Sequence, residues 1–353
     1  MTVHAKYLLI LAALFSASSS ANEYSTIVGF GDSLTDTGNK FVDTGLLNRP
    51  PYDLLNEFRV PDGPYARGGL QHSNGATWIE QYARPLDLGD AVRPSLRNPG
   101  EATNYAYGGA RARDGSPEPD LVALGCLEDN SNLHFTDQVT AFLGDVNMSA
   151  PGDALYALFI GGNDVADAVR ALQCDPTGAT SVGVIIGGAL TSVRDNIIAL
   201  YFQGARKFVV LNSPDLGLTP AFTPPLNSEL ASFFGSCFSQ LYNFGTREDS
   251  PLPPSPLCGF PDGIPGLVHV LAGLQGTLPG IEITGVDIYS KFVQLVTAPS
   301  GSEPQNGTDT CVMPEIPPYA CRDADNHVFW DGIHPTKETH GLIADEVISA
   351  SGD

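Results

Sequence analysis

Short apolar runs alternate along the chain with longer stretches whose apolar residues recur at helical spacing. The short runs are rich in β-branched and aromatic residues and predict buried strands, while the longer stretches predict helices. The predicted strands are Thr26–Phe30, Thr103–Tyr107, Leu155–Ile160, Phe208–Asn212 and Ile281–Ile288. The predicted helices are Ala76–Ala83, Thr136–Leu143, Val165–Leu172, Thr191–Gln203, Leu226–Phe244 and Lys337–Ser349. This alternation predicts an α/β fold with a mainly parallel sheet.

The first residues follow a different pattern. Lys6 precedes the apolar run Tyr7–Phe15, and small residues fill Ser16–Ala21. This order is typical of a secretory signal peptide, which we expect to occupy residues 1–21 and to be cleaved after Ala21. A membrane anchor is the alternative, but its apolar core would need about 20 residues. We expect residues 22–353 to form a single domain, with no later membrane-spanning segment.

The charge balance narrows the choice of partners. The chain carries 18 Lys and Arg against 40 Asp and Glu, a formal net charge of −22. A surface of this sign repels phosphate backbones, so we expect no nucleic-acid partner. It also argues against electrostatic docking on anionic lipids.

All six cysteines lie after the predicted cleavage site: Cys126, Cys174, Cys237, Cys258, Cys311 and Cys321. An even number of cysteines behind a signal peptide indicates an oxidising compartment and three disulfides. Many pairings are possible. Sequence neighbours favour Cys311–Cys321 and Cys237–Cys258, which leaves Cys126–Cys174. The chain has no Cys-x-x-Cys or His-Glu-x-x-His spacing, so we predict no metal site and no cofactor.

Candidate chemistry begins at Ser33, in a polar turn directly after the first predicted strand. Far downstream, His334 follows Asp331 at a spacing of three residues. Serine, histidine and aspartate are the side chains that carry nucleophilic acyl transfer. A lone Asp-Ser pair after a strand is more often a turn or a helix cap, so further segments have to decide.

Two glycine-containing segments follow the next predicted strands. Gly108 and Gly109 come after Tyr107, and Gly161, Gly162 and Asn163 come after Ile160. Glycine lets the backbone approach a ligand closely, and an asparagine amide is a hydrogen-bond donor. Strand ends of a parallel sheet meet at one edge, so these groups can supply donors to a developing oxyanion.

Four segments in this order resemble the GDSL esterases and lipases, also called SGNH hydrolases. They are Gly31–Leu34, Asn104–Ala110, Gly161–Asp164 and Asp331–Pro335. The resemblance implies a three-layer α/β/α sandwich with a five-stranded parallel sheet, similar to flavodoxin in outline. Thr35 replaces the second glycine of a Gly-x-Ser-x-Gly elbow, which argues against the α/β-hydrolase fold.

The resemblance also implies roles for individual residues. Ser33 would be the nucleophile and would give its own N–H to the oxyanion. His334 would act as general base and then as general acid, and Asp331 would orient it. Gly109 would give a second N–H, or Gly108 if the register differs by one residue. Asn163 would give the third donor.

The resulting prediction is a secreted or periplasmic carboxylic-ester hydrolase that forms an acyl-serine intermediate on a small-molecule or lipid ester. Alternatives within the same chemistry are an acyltransferase, a phospholipase or lysophospholipase, and an acetyl-sugar esterase. A catalytically silent carbohydrate- or surface-binding protein would need a broken triad, and no catalytic position departs from the pattern.

Overall fold

A computed structural model describes residues 24–52, 63–113, 133–174 and 179–352. The predicted signal peptide and Cys126 lie outside the described residues. The prediction of a signal peptide therefore stays a prediction, as does the third disulfide.

Four strands form one parallel sheet at the centre of the fold. They are β1 (Ile27–Gly31), β2 (Leu155–Phe159), β3 (Lys207–Leu211) and β4 (Glu282–Val286), and they lie side by side in chain order. Every residue of β1 and β2 is buried, as expected for parallel strands covered on both faces. The predicted α/β class is confirmed.

The expected fifth strand is only partly present. Residues 103–107 lie beside β1, where the Tyr105 N–H donates to the Gly29 carbonyl at 2.7 Å, but they form an isolated parallel bridge rather than a strand. The side chain of Asn104 accepts the Ala106 N–H at 3.0 Å, which turns the backbone locally. On the other side of this segment, the Asn39 amide donates to the carbonyls of Asn104 and Ala106, and the Ser95 N–H donates to the Asn104 carbonyl. The sheet therefore has four strands instead of the predicted five.

Nine α-helices occur in the described part of the chain. They are α1 (Asn39–Thr44), α2 (Trp78–Ala83), α3 (Phe135–Asp145), α4 (Gly162–Cys174), α5 (Ala179–Phe202), α6 (Glu229–Phe244), α7 (Leu267–Thr277), α8 (Ile288–Thr297) and α9 (Lys337–Ser351). Helices α1, α7 and α8 were absent from the sequence-based prediction.

Alternate strand residues point to opposite faces of the sheet and bury two separate cores. Val28 and Phe30 pack in a core shared with α3, α4, α5, α6 and α7. Ile27, Leu155 and Phe159 pack in a core shared with α2, α8 and α9. The sheet is therefore the middle layer of an α/β/α sandwich, which leaves its carboxyl edge open to carry a site.

Two of the predicted disulfides are confirmed. Cys311 pairs with Cys321 at a Cα–Cα distance of 4.8 Å, and Cys237 pairs with Cys258 at 5.8 Å. The first closes a loop between the short strands β5 (Asn306–Thr310) and β6 (His327–Phe329), which pair in a second, parallel sheet. Disulfides of this kind fit an extracellular or periplasmic location.

One described helix is long and apolar enough to cross a membrane by length and composition. It is the segment Ser181–Phe202 of α5, in which half of the most apolar window is buried inside the fold. Val182, Ile185 and Ile186 of this helix pack in the core that also holds α3 and α4. This burial is the pattern of a core helix in a globular domain.

Candidate active site

Ser33 lies in a tight turn at the carboxyl end of β1. The Asp32 carbonyl accepts the N–H groups of Thr35 and Asp36 at 3.0 and 2.9 Å, and the Asp32 side chain accepts the Leu34 N–H at 3.0 Å. These bonds bend the chain sharply and leave Ser33 9% exposed. Burial raises the pKa of Asp32 to about 7, against the opposing effect of the Leu34 hydrogen bond.

Asp331 and His334 lie together in the loop between β6 and α9. One carboxylate oxygen of Asp331, Oδ1, accepts the N–H groups of Ile333 and His334 at 2.9 and 2.8 Å. The other, Oδ2, lies 2.7 Å from His334 Nδ1. Both side chains are buried. Because a carboxylate only accepts, this contact places the proton of the neutral imidazole on Nδ1 and leaves Nε2 as an acceptor.

His334 Nε2 lies 2.7 Å from Ser33 Oγ, although 301 residues separate the two in sequence. The structure thus brings all three predicted residues into one hydrogen-bonded chain from hydroxyl to imidazole to carboxylate. Such a chain can remove a proton from the serine hydroxyl as that oxygen attacks an electrophile.

The segment that contains Gly108 and Gly109 lies beside these hydrogen-bonded side chains and is fixed by Asp36. The Gly108 N–H donates to Asp36 Oδ2 at 2.9 Å, so the fallback donor of the sequence prediction is already engaged. A Cβ on Gly108 would lie 2.4 Å from Nε2 of the His72 ring, which leaves no room for another residue. Gly109 adopts a φ of 81°, in the left-handed region that favours glycine.

Asn163 lies in the first turn of α4, directly after β2. Its Nδ2 donates to the carbonyl of Ala110 at 2.8 Å, which joins this side chain to the glycine segment. This contact joins the glycine segment, which contains Gly109, to the start of α4, which contains Asn163.

A buried cluster of charges binds the chain after the glycine segment more firmly to α4. Arg113 bonds Asp164 at 3.1 Å and Asp167 at 2.7 Å, and Arg111 also bonds Asp167. Burial alone would raise the pKa of Asp167, but the guanidinium groups of Arg111 and Arg113 outweigh it and lower that pKa to about 2. Burial raises the pKa of Asp164 because only the Arg113 charge and two backbone N–H groups oppose it.

The segment from Tyr65 to Asn74 was not assigned to the site from the sequence. The Tyr65 hydroxyl donates to Asp331 Oδ2 at 2.9 Å, and the His72 ring lies 5.0 Å from the His334 ring. Ser73 Oγ donates to the Pro335 carbonyl at 2.8 Å, and Asn74 accepts the backbone N–H that begins α9 at 2.6 Å. No spacing rule could have found these residues, because each contacts a partner roughly 260 positions away.

Among the described residues, one group of side chains has the spacing of a metal site: Cys321, Asp323 and His327. The sulfur of Cys321 forms a disulfide with Cys311, so Cys321 offers no thiolate ligand. Cys321 closes the disulfide loop, and Asp323 and His327 follow it, with His327 at the start of β6.

Comparison with known proteins decides the family. The family model for GDSL-like Lipase/Acylhydrolase matches residues 27–347, a range that includes every site residue described above. The chain belongs to this family. A GDSL esterase/lipase from Arabidopsis thaliana is 25% identical over 346 residues, which cover 92% of this chain and 88% of that protein. GDSL esterase/lipase 7 from the same plant is 24% identical over 362 residues, covering 92% and 87% of the two chains.

Membership in the GDSL family makes this protein an ester-hydrolysing enzyme. The match covers almost the whole described chain, from β1 into α9. The likeness to these relatives therefore extends over the sandwich as a whole and not only over one motif.

Proposed function

We propose that this protein is a secreted carboxylic-ester hydrolase that uses Ser33, His334 and Asp331 as its catalytic triad. The observation that carries the proposal is the continuous hydrogen-bonded path from Ser33 Oγ to His334 and on to Asp331, with both contacts at 2.7 Å. Each group already has the partner that its role in acyl transfer requires.

In the first half-reaction, Ser33 Oγ attacks the ester carbonyl while its proton passes to His334 Nε2. The imidazolium keeps its Nδ1 proton in the bond to Asp331, whose buried carboxylate offsets the new positive charge. The tetrahedral intermediate then collapses as Nε2 returns the proton to the leaving alcohol. An acyl-serine remains.

The negative charge on the tetrahedral oxygen needs donors that already point at it. We assign these to the Ser33 N–H, the Gly109 N–H and the Asn163 amide. The Gly108 N–H already donates to Asp36, which argues against the fallback assignment to that residue. The Asn163 amide has two hydrogens and uses one on Ala110, so the second can serve the oxyanion.

In the second half-reaction, water replaces the alcohol. His334 Nε2 takes a proton from the water, the resulting oxygen attacks the acyl carbon, and the proton returns to Ser33 Oγ as the acid leaves. An acyltransferase would differ only in using an alcohol at this step. Added alcohol that raises total turnover and yields a new ester would identify that activity.

Hydrolysis of p-nitrophenyl acetate by native protein and by Ser33→Ala tests the assignment. We expect the variant to lose at least about 10³-fold in kcat, with KM changed far less. Ser95→Ala, which alters another buried serine, is the matched control and should keep native activity. Equal rates for native protein and Ser33→Ala would refute the role of Ser33.

Two further parts of the proposal rest on other observations. The two disulfides and the sequence pattern of residues 1–21 support secretion, which N-terminal sequencing of the exported protein would test by finding the first residue after Ala21.

The substrate class is addressed by a rate profile on p-nitrophenyl esters from acetate to palmitate. A maximum at acetate would favour acetylated substrates, and one at long chains would favour lipids.

A further inference from the structure

Asp331 receives a hydrogen bond from a tyrosine as well as from His334. The Tyr65 hydroxyl lies 2.9 Å from Asp331 Oδ2, the same oxygen that lies 2.7 Å from His334 Nδ1. Together with the two N–H groups on Oδ1, this gives the carboxylate four donors. Each carboxylate oxygen has two lone pairs, so the four donors occupy all of the accepting positions of Asp331.

Tyr65 is held in place from several sides. The residue is fully buried, and its ring packs edge-on against Trp330 at 5.6 Å and against Tyr52 at 5.4 Å. Its N–H also donates to the Gln71 carbonyl at 2.9 Å. A side chain with this packing holds its hydroxyl in one position, because rotation would clash with neighbouring rings.

We infer that Tyr65 is a positioning residue of the catalytic centre, whose hydroxyl orients the Asp331 carboxylate and limits its basicity toward His334. The inference rests on the proposed triad. A donor to a carboxylate stabilises its negative charge and reduces the pull of that charge on any other proton. Without the hydroxyl, Asp331 would hold the His334 proton more strongly and would be less firmly oriented.

This account predicts the direction of a pH shift. A carboxylate with one fewer donor stabilises the neighbouring imidazolium more, so His334 would lose its proton only at higher pH. Other groups act on the same ring: Ser33 and Asp331 by contact, His72 by packing, and Asp32 and His340 through charge. These groups are the same in native and variant protein, so their effects cancel in the difference.

The test compares Tyr65→Phe with native protein in the full chain, using p-nitrophenyl acetate from acid to alkaline pH. We expect kcat to fall roughly 3- to 30-fold with KM within about twofold, because orientation matters most in the transition state. The midpoint of the acid limb of kcat/KM should move up by roughly half a pH unit to one unit. Tyr52→Phe removes a hydroxyl from the adjoining ring and should change neither quantity.

A second readout does not depend on activity. The His334 ring proton can be titrated by NMR in both proteins, with its signal assigned by its loss in His334→Gln. The inference predicts the same upward movement of the midpoint in Tyr65→Phe. An unmoved midpoint would overturn it, even if the variant were less stable or slower, since a purely structural tyrosine changes stability without changing titration.

The two readouts separate this inference from the proposed function. If Ser33→Ala stayed fully active, the hydrolase mechanism would fail, and the NMR titration would still decide whether Tyr65 controls the Asp331–His334 pair. If Ser33→Ala were inactive and Tyr65→Phe titrated like native protein, only the inference about Tyr65 would fail.

Discussion

Replacing Asp167 by asparagine should destabilise the protein strongly and also lower its kcat. Asp167 is fully buried and bonds the guanidinium groups of Arg111, Arg113 and Arg170. Its pKa falls from 3.8 to about 2, which corresponds to about 2 kcal/mol of stability from its charge. Removing that charge also leaves buried arginines without their anion, a situation that typically costs about 3–5 kcal/mol.

We therefore expect the free energy of unfolding of Asp167→Asn to be lower by about 3–5 kcal/mol at pH 7. Because the folded pKa is depressed, the charge contributes above about pH 4 and is lost as the pH falls toward 2. The difference between variant and native protein should shrink over that range. Urea unfolding followed by the fluorescence of the two tryptophans, Trp78 and Trp330, measures it.

The exposed ion pair Arg194–Asp195 supplies a control, since its two side chains are 51% and 57% exposed. Asp195→Asn should change the free energy of unfolding by no more than about 1 kcal/mol. The buried cluster also joins the chain after the glycine segment to α4, which contains Asn163, so kcat of Asp167→Asn should fall about tenfold. A loss of stability no larger than that of the control would refute the reasoning.

Three other outcomes are expected. Burial lowers the pKa of His72, so its protonation opposes folding below about pH 6.5. The melting temperature of His72→Leu should therefore rise relative to that of native protein as the pH falls. A difference in melting temperature that stays constant with pH would contradict this. Asn163→Ala should lose about 10²–10³ in kcat with a smaller change in KM, and native kinetics would exclude it as an oxyanion donor. Replacing Cys311 and Cys321 by serine should cost about 3 kcal/mol in urea unfolding, whereas a change below about 0.5 kcal/mol would show that the loop needs no crosslink.

The central strands were predictable because buried parallel strands are short apolar runs. Leu155–Ile160 was predicted and Leu155–Phe159 is observed. The last strand was predicted too long, at Ile281–Ile288, because apolar residues continue into α8. The structure ends β4 at Val286, and Asp287 accepts the Ser290 N–H at 3.1 Å as the cap of the next helix. A local capping bond, rather than hydrophobicity, sets this boundary.

The long helix α5, in contrast, was predicted too short. The apolar run Val182–Leu190 contains three glycines, and only Thr191–Gln203 was predicted to be helical. The structure has one continuous helix, Ala179–Phe202, whose apolar side packs on α3 and α4. Tertiary burial outweighs the low helix propensity of glycine here.

The candidate site likewise contains residues that were predicted from the sequence and residues that were not. Ser33, Asp331 and His334 stood out because each lies in a short motif, and the structure places them in contact. Tyr65 lies in no motif, and its bond to Asp331 joins residues 266 positions apart. Such a contact depends on how loops cross in the folded chain, which a single sequence does not encode as a local pattern.

The most direct test of the catalytic assignment is covalent trapping of the nucleophile. Native protein incubated with diethyl p-nitrophenyl phosphate should gain one diethylphosphoryl group, and peptide mass spectrometry should locate it on Ser33. His334→Ala should react far more slowly, because its serine has no base. Labelling at another residue, or labelling that is unaffected by loss of His334, would contradict the proposed mechanism.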